Sequence, residues 1–508
     1  MAAESGAATE ETGVFETDSW QTPVSEIDKL VLAAMKKEGL RPAPPCSDEI
    51  FLRRVHLDTI GMLPEPKDIR AFLRESSAAK RAAVVESLLK REEFADYWTM
   101  KWCDILRVKA EYPINLWPNG VQAYHRWIHN ALRTNRTYDE FARELLTSSG
   151  SNFRTPAVNF YRALQGTEPE AIARATALTF MGARVDAWPE ARRKGLEAFF
   201  SRVAYKGTAE WKEVIVFLDP AVNNPLKTVL PDNTAVTIQP GHDPREVFAD
   251  WLISPDNPWF TRNIVNRVWS WVMGRGIIHE PDDMRPDNPP SHPALLDYLE
   301  KELVAADYDL HHIYRLILTS RIYQQSCVPR KPHKKAEELF ACYPLRRLDA
   351  EVLIDALCTI TGVGESYTSP IPEPFTFIPE SRRSVRLADG SITSPFLEMF
   401  GRPPRDTGLE SERNNAPSEK QRLHLLNSTH IKRKISRGRR LWLDVMKRQG
   451  EPREVVDHLY LTILSRYPTR EEGLTISNYF QTPGINRRHA AEDLVWALIN
   501  TKEFQYRH

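Results

Sequence analysis

The sequence predicts a mainly α-helical, multi-helical protein in which two helical domains pack together beside a small β insert. Three observations support this fold class. Apolar residues recur at helical spacing over most of the chain from Pro23 onward. β-Branched residues cluster only between about Lys212 and Gln239. With 508 residues, of which 42% are hydrophobic, the chain can bury a substantial core.

The first half of the chain predicts a short tail and a helical domain. Residues 1–21 lack apolar periodicity and are expected to be disordered. Residues 22–205 predict the first helical domain, in which Gly39 ends the first helix, Ser47 caps the second and a proline opens the third. Further helices are expected in the segments 79–108, 121–134, 137–148 and 170–182.

The remainder predicts a β insert and a second helical domain. Residues 206–242 form the insert, with the strand-like runs EVIVFLD and TAVTIQPG bounded by turn residues. Residues 243–508 form the second helical domain, which is completed by four helices after Ser418. Within it, residues 363–420 are rich in Pro, Gly and Ser. This long loop exceeds an ordinary connection, so we expect it to be functional or to cover another lobe.

Charge and hydropathy limit the partners and the location. Lys plus Arg and Asp plus Glu both number 68, so the formal net charge is zero, which argues against a nucleic-acid partner. No stretch approaches the roughly 20 apolar residues of a membrane span. The first residues are polar and acidic and do not resemble a signal peptide. The protein is therefore either exported, with its leader removed, or cytoplasmic.

The five cysteines do not form a disulfide framework, because their number is odd and no pair has CxxC spacing. Cys103 and Cys358 lie in apolar helical contexts and are expected to be core thiols. Cys327 and Cys342 flank a basic loop, and a bond between them stays open at this level.

The most informative segment is 257–299, which mixes tryptophans with polar groups on one amphipathic helix. On a functional interpretation these groups bind substrate, with arginine forks that grip carboxylates or sulfates. On a structural interpretation they join helices in an internal network. The candidate substrate-binding residues here are Arg262, Asn266, Arg267, Trp269 and Arg275.

The loop after that helix supplies candidate acid and base groups. These candidate catalytic residues are Glu280, Asp282, Asp283 and His292. Asp282 and Asp283 are adjacent and lack the alternating spacing of a calcium loop, so Ca²⁺ is an unsupported alternative. The structural alternative is turn and capping chemistry.

Charged residues on the long loop are further candidates, because binding groups concentrate on unusual loops. The substrate-binding candidates there are Arg402, Arg405, Glu410, Glu412 and Arg413. A compact charged set at 346–351 favours a helix cap. His125 and His129 have a spacing that can bind a metal, but the HExxH pattern is missing, and no metal site is predicted.

Motifs along the chain resemble one known family. They include FLRRVHLDTIGMLPEP at 51–66, NPWFTRNIVNRVWSWVMGRGI at 257–277, FGRPPRD at 400–406 and LSRYPTREE at 464–472. Together and in this order, they resemble the paired domains DUF1549 and DUF1553 of secreted proteins in planctomycetes and their relatives. The resemblance implies export, and a setting in bacteria that degrade complex, often sulfated, polysaccharides.

The chain departs from this family's pattern at two places. Relatives commonly carry a CxxCH-type segment, suited to covalent haem, where this chain reads MGARVDAWPEARRKGLEAFF at 181–200. Relatives also carry Cys-Glu-Cys-Glu-Arg where this chain reads Leu409-Glu410-Ser411-Glu412-Arg413. Losing both thiol clusters together is what the loss of one shared haem or metal site would produce. We therefore expect no cofactor and no c-type haem.

Three functions follow as hypotheses. The first is a secreted or periplasmic protein that binds or processes a polysaccharide or oligosaccharide, as a hydrolase or a lyase if it is an enzyme. It predicts a pocket that joins the 274–292 loop with the 400–413 loop. The second is a redox relative that has lost its haem site. The third is a non-catalytic structural or partner-binding protein. The sequence does not determine the oligomeric state.

Overall fold

The structure is a computed structural model that describes residues 14–222, 224–373, 376–447 and 452–508. Most of the predicted tail, residues 1–13, lies outside the described residues. Helices account for 51% of the structure and strands for 6%, so the predicted mainly-α class is confirmed. Among the described helices, none has both the length and the apolar content that crossing a membrane requires.

Local sequence signals set the helix ends in the first half. Ser25 forms a capping box with Asp28, the Ser47 hydroxyl accepts a hydrogen bond from the Ile50 N–H, and Pro66 occupies a first helical turn. The helices are α1 (Glu26–Lys37), α2 (Asp48–Ile60), α3 (Pro66–Arg74), α4 (Lys80–Leu89), α5 (Glu92–Ile105), α6 (Trp117–Arg133), α7 (Tyr138–Thr147), α8 (Asn159–Arg162), α9 (Pro169–Thr176) and α10 (Glu190–Ala198).

The β insert consists of two small antiparallel sheets. The first contains β1 (Gly150–Ser151), β2 (Val203–Gly207) and β3 (Val214–Leu218) in the order β1–β3–β2, and the second pairs β4 (Leu226–Val229) with β5 (Ala235–Ile238). Tyr205 lies opposite Val216 in the β2–β3 ladder. Strand β2 begins at Val203, inside the predicted first helical domain, and it pairs with β3 along its whole length.

The second half is again helical. Its helices are α11 (Pro244–Leu252), α12 (Phe260–Met273), α13 (Pro293–Ala305), α14 (Leu310–Leu318), α15 (Ala350–Thr361), α16 (Pro395–Met399), α17 (Glu419–Asn427), α18 (Thr429–Ser436), α19 (Arg439–Lys447), α20 (Pro452–Ile463), α21 (Arg470–Phe480), α22 (Arg487–Ile499) and α23 (Lys502–Gln505). The prediction of four helices after Ser418 is wrong, since the described residues there form seven. One cause is Ser428, which ends α17 and whose hydroxyl caps α18.

The two helical domains share one core. Arg53 and Arg54 of α2 are buried, and they donate to backbone carbonyls of Ile463, Phe504 and His508 near the carboxyl end. Strands β6 (Arg346–Arg347) and β7 (Tyr506–Arg507) pair the end of the chain with the start of the α15 region. α1 packs on α13 and α4 on α14. All five cysteines are free thiols.

The long loop packs across the first domain. The Asp355 carboxylate accepts the backbone N–H groups of Ser384 and Val385, at 2.6 and 3.2 Å. The Asp389 carboxylate accepts the N–H of Ala110 at 2.9 Å. These bonds hold the loop against α5, α6 and α15, so the segment covers the join between the domains.

Candidate functional site

The polar face of α12 lies inside the protein. Arg267 has no exposed surface; its guanidinium donates to the carbonyl of Thr179 at 2.9 Å and to Asp282 Oδ1 at 2.7 Å. The Asn266 side chain exchanges hydrogen bonds with the backbone of Ile278. Trp269 is buried against Phe340. We therefore reassign Asn266, Arg267 and Trp269 from substrate contacts to an internal network, because no surface of theirs reaches a ligand.

Two further arginines of this segment lie apart from the network. Arg262 is on the surface of α12 and pairs with Glu300 at 2.7 Å and with Asp297 at 3.1 Å on α13. Its role as a substrate contact is corrected to a helix-to-helix ion pair. Arg275 is half-buried, and its charge contributes to the lowered pKa of His279, after burial.

The predicted catalytic residues have different environments in the structure. Asp282 is buried; Oδ1 is bound by Arg267, and Oδ2 accepts the backbone N–H of Glu410 at 2.6 Å. Glu280 is exposed and lies 3.6 Å from Arg184. Asp283 lies 3.3 Å from Arg285. His292 is buried, and this burial lowers its pKa to about 4. Asp282 and His292 are buried, and Glu280 and Asp283 each lie beside an arginine, so the structure does not support them as one acid–base set.

The arginines of the long loop are also buried. Arg405 donates to Asp104 Oδ1 at 2.8 Å. Arg413 donates to Asp104 Oδ2 at 2.6 Å and to Glu351 Oε2 at 2.7 Å. Arg402 donates to the carbonyls of Ile392 and Asp389 and lies 3.4 Å from Glu351. The three arginines therefore hold the loop on α5 and α15. Their predicted role as substrate contacts is replaced by a structural role.

Two glutamates of this loop, Glu410 and Glu412, have different roles. The Glu412 carboxylate accepts the backbone N–H of Asp406 at 2.8 Å, which stabilises the turn. The Glu410 side chain keeps 24% of its surface exposed. Its Oε1 accepts the indole N–H of Trp271 at 2.5 Å and lies 3.8 Å from Arg267 Nε. Glu410 is thus a predicted site carboxyl that retains access to solvent and whose ion pair, with Arg267, is long at 3.8 Å.

The surroundings of Glu410 shift its pKa towards neutral pH. Burial raises the pKa of Glu410 to about 7, and the neighbouring charge of Asp282 adds to the rise. The cations of Arg267 and Lys101 oppose it. A carboxyl that titrates near neutral pH can both accept and release a proton, which is the property required of a general acid or base.

A cleft of about 360 Å³ lies near this carboxyl, although Glu410 itself is not among its lining residues. We call it the Lys101 cleft. It shares Trp271 with the Glu410 environment, and its lining is predominantly basic. The lining residues are Lys101, Trp271, Gly274, Leu345, Arg346, Arg347, Asp349, Asn415, Pro417, Tyr506 and Arg507. The cleft therefore suits an anionic ligand rather than a cationic one.

Several polar atoms of the cleft are uncommitted within the described structure. Arg347 uses Nη1 to donate to Gln421, whereas its Nε and Nη2 have no hydrogen-bond partner. Asn415 donates to Asp349 at 2.8 Å, and its Oδ1 has no partner. Asp349 itself is buried and accepts from Lys101 and Arg507. These Arg347 and Asn415 atoms are buried, so the cations that a ligand can reach are Lys101 and Arg346, whose side chains keep 11% and 17% of their surface exposed.

Sequence reasoning missed two of these cleft residues. Lys101 lies among the aromatic residues of α5, and Arg507 is in the penultimate position of the chain; neither belongs to a motif. The charged run at 346–351 predicts a helix cap and not a binding site. Its Asp349 is indeed the N-cap residue of α15, yet its side chain makes no capping bond. Only the pairing of β6 with β7 brings Arg507 beside Asp349.

Gly274 supports one wall of this cleft. It ends α12 with φ +75°, and an added Cβ would overlap the Arg346 side chain, which donates to the carbonyls of Trp271 and Val272. We expect Gly274→Ala to lower the free energy of unfolding by about 2 kcal/mol, because left-handed backbone disfavours a side chain and Arg346 must move. Urea unfolding measures this change.

The matched control is Gly473→Ala in α21. Nothing lies within 4 Å of a Cβ added there, and its φ is not in the left-handed region. Alanine in a helix is favoured over glycine, so this variant should gain roughly 0.5–1 kcal/mol. Equal stability of both variants would contradict the constraint at Gly274.

The fold and the site define a class: a two-domain helical protein whose domains are joined by buried charges around a basic cleft. Residues 26–190 match the PSCyt2 model, a protein of unknown function (DUF1549), and residues 244–480 match the PSD1 model, a protein of unknown function (DUF1553). The chain therefore belongs to the family that pairs these two domains. Neither the search of curated proteins nor that of solved structures found a match.

The two segments that depart from the family pattern meet in the structure. Ala183, Arg184 and Asp186 from one, and Leu409 from the other, line the same cavity of about 280 Å³. No cysteine, histidine or methionine is among the described residues of its lining. This donor set does not fit a c-type haem, which needs thiols for the porphyrin and an axial ligand for iron.

Proposed function

We propose that this protein binds and processes an acidic glycan in the Lys101 cleft, as an exported component of polysaccharide breakdown. The observation that carries the proposal is Glu410, a partly exposed carboxyl with a pKa raised to about 7 beside a basic cleft. A carboxyl that titrates near neutral pH, close to cationic side chains, can transfer a proton to or from an anionic substrate.

The reaction that this arrangement favours is elimination from a uronic acid. Hydrolysis generally uses two carboxyl groups that flank the bond, but Asp282 and Asp349 are both buried and bonded to cations. Elimination needs one base and a cationic environment for the substrate carboxylate. Glu410 would supply the base, and the partly exposed cations of Lys101 and Arg346 would bind the carboxylate.

In the proposed step, the Glu410 carboxylate removes the proton on the carbon next to the uronic acid carboxylate. The electrons of that C–H bond form a carbon–carbon double bond, and the bond to the glycosidic oxygen breaks. The leaving oxygen takes the electron pair and receives a proton, which returns Glu410 to its starting state. Arg346 and Lys101 stabilise the negative charge that develops on the substrate carboxylate.

The test is incubation with uronic, sulfated and neutral glycans, with products weighed by mass spectrometry. We expect cleavage of a uronic acid glycan into fragments whose masses sum to that of the substrate, one fragment being unsaturated. Fragments that sum to one water more would instead indicate hydrolysis. No product from any glycan, together with no shift in melting temperature, would contradict the proposal.

A non-catalytic structural or partner-binding function is the second candidate. It is favoured by the number of predicted site residues that the fold uses for itself, of which Arg405, Arg413 and Arg267 are the clearest. This candidate expects the same fold and cleft but no product from any glycan. A redox function has less support, because the residues around Leu409 offer no haem ligand.

A further inference from the structure

A further cavity lies between α6 and the long loop, with Asp96 of α5 in its lining. Its volume is about 500 Å³, larger than that of the Lys101 cleft. None of its lining residues belongs to that cleft. We call it the His125 cavity. The residues that matter for its chemistry are Asp96, His125, Arg126, His129, Arg382 and Arg386.

Positive charge is in excess in the His125 cavity. Arg386 lies 3.2 Å from the Asp96 carboxylate, which Arg383 and His129 also approach. Arg126 and Arg382 are exposed at the cavity wall. In the described part of the chain, neither of their guanidinium groups forms an ion pair. Asp96 is thus shared among several cations, and two arginines keep their full hydrogen-bonding capacity.

The two histidines add neutral donors to this wall. His125 and His129 are one turn apart on α6, and their rings stack at 6.4 Å with an interplanar angle of 15°. The pKa of His125 is lowered to about 3, mainly by burial, and neighbouring positive charges, that of Arg405 first, act in the same direction. A neutral imidazole still carries one N–H. The cavity therefore offers donors on several sides.

The composition of the cavity favours an anion over a metal. A metal needs a converging set of neutral nitrogens and carboxylates. Within the described ranges, no three His, Cys, Asp or Glu side chains are grouped so that they could hold a metal ion. Guanidinium groups, by contrast, bind oxyanions through paired N–H donors.

We propose that the His125 cavity is a binding site for a tetrahedral oxyanion, sulfate or phosphate, either free or as the ester group of a small ligand. Arg126 and Arg382 form its primary contacts. Arg386 and His129 are held at the wall by Asp96, and His125 adds a neutral imidazole beside them. This site is separate from the Glu410 chemistry and does not depend on it.

Calorimetric titration of the full chain with sodium sulfate and sodium phosphate, against sodium chloride at equal ionic strength, tests the site. We expect saturable binding of an oxyanion and none of chloride. Arg126→Gln and Arg382→Gln should each weaken it roughly 10-fold, the effect of one lost charge-assisted hydrogen bond. Both side chains are exposed, so the variants should fold.

Arg154→Gln is the matched control, because it removes the same charge from a side chain that is 77% exposed and distant from the cavity. It should leave binding unchanged, as should Glu410→Gln, which separates this site from the glycan reaction. A monosaccharide sulfate and a monosaccharide phosphate distinguish an ester ligand, which binds more tightly than the free ion, from a free anion. Equal heats for chloride and both oxyanions, or equal loss with Arg154→Gln, would overturn the proposal.

Discussion

Glu410→Gln is expected to lower the rate of glycan cleavage by roughly 10²–10⁴-fold, the usual contribution of a general acid or base. Glutamine keeps the shape and the oxygen that accepts the Trp271 indole N–H, so the cleft and the fold should persist. What is lost is the group that takes the proton. Initial rates on the cleaved glycan, with the melting temperature as a check of folding, measure the effect.

The pH profile adds a second readout for the same residue. Because Glu410 has a pKa raised to about 7, the carboxylate that acts as base is present above that pH and is lost below it. The rate should therefore rise as pH increases through about 7. A rate that falls over this range would assign Glu410 as an acid and exclude elimination by this base.

Asp282→Asn tests the cause of that raised pKa. The Asp282 charge contributes to the rise after burial, and its removal also leaves the Arg267 cation free to favour the Glu410 carboxylate. The limb of the profile should move to lower pH. Trp271 gives a readout without substrate: its fluorescence should titrate with Glu410 through the shared hydrogen bond, and this titration should be missing in Glu410→Gln.

Glu280→Gln is the matched control for Glu410→Gln. Glu280 was an equal candidate by sequence, but its side chain is 51% exposed and meets only Arg184 at 3.6 Å. We expect no change in rate or pH profile. A loss in Glu280→Gln with a normal Glu410→Gln rate would reverse the assignment.

Arg413→Met is expected to lower the free energy of unfolding by about 3–5 kcal/mol, because it removes a buried cation that neutralises two carboxylates at once. Arg413 bonds to both Asp104 and Glu351 and lies 3.6 Å from Asp349. Methionine fills similar volume, so the loss is electrostatic. Urea unfolding at neutral pH measures it, and a domain of ordinary stability would remain folded.

The pH dependence of this loss has a defined sign. The pKa of Asp104 is lowered in the folded protein, since Arg413 and Arg405 outweigh its burial. The stability contributed by such a carboxylate is present above its unfolded pKa and is lost as pH falls through the folded pKa. The difference between Arg413→Met and the unaltered protein should therefore be largest near neutral pH and shrink in acid.

Arg262→Met provides the comparison for a surface arginine. Arg262 also touches two carboxylates, but it is partly exposed, and solvent screens the pairs. The expected loss is about 1 kcal/mol or less. A loss equal to that of Arg413→Met would show that removing any arginine ion pair, buried or exposed, has the same cost.

The sequence predicted the segments of the candidate site better than the roles of its residues. The 274–292 and 400–413 segments do meet, through the bond from the Glu410 N–H to Asp282. Of these two segments, only Gly274 lines the Lys101 cleft, together with Asn415 and Pro417 just after the second segment. Arg267 and Arg405 share the composition of ligand-binding arginines, and only burial distinguishes a structural arginine from a binding one.

The sequence by itself determined the helical class, the starts of α1, α2 and α3, and the family, because periodicity, capping residues and ordered motifs are local properties. Tertiary structure alone decided which charges are free. The pairing of Arg507 with Asp349 spans 158 positions and that of Arg413 with Asp104 spans 309, and no local pattern encodes such separations. Whether a carboxyl like Glu410 titrates near neutral pH depends on which charges the fold buries beside it.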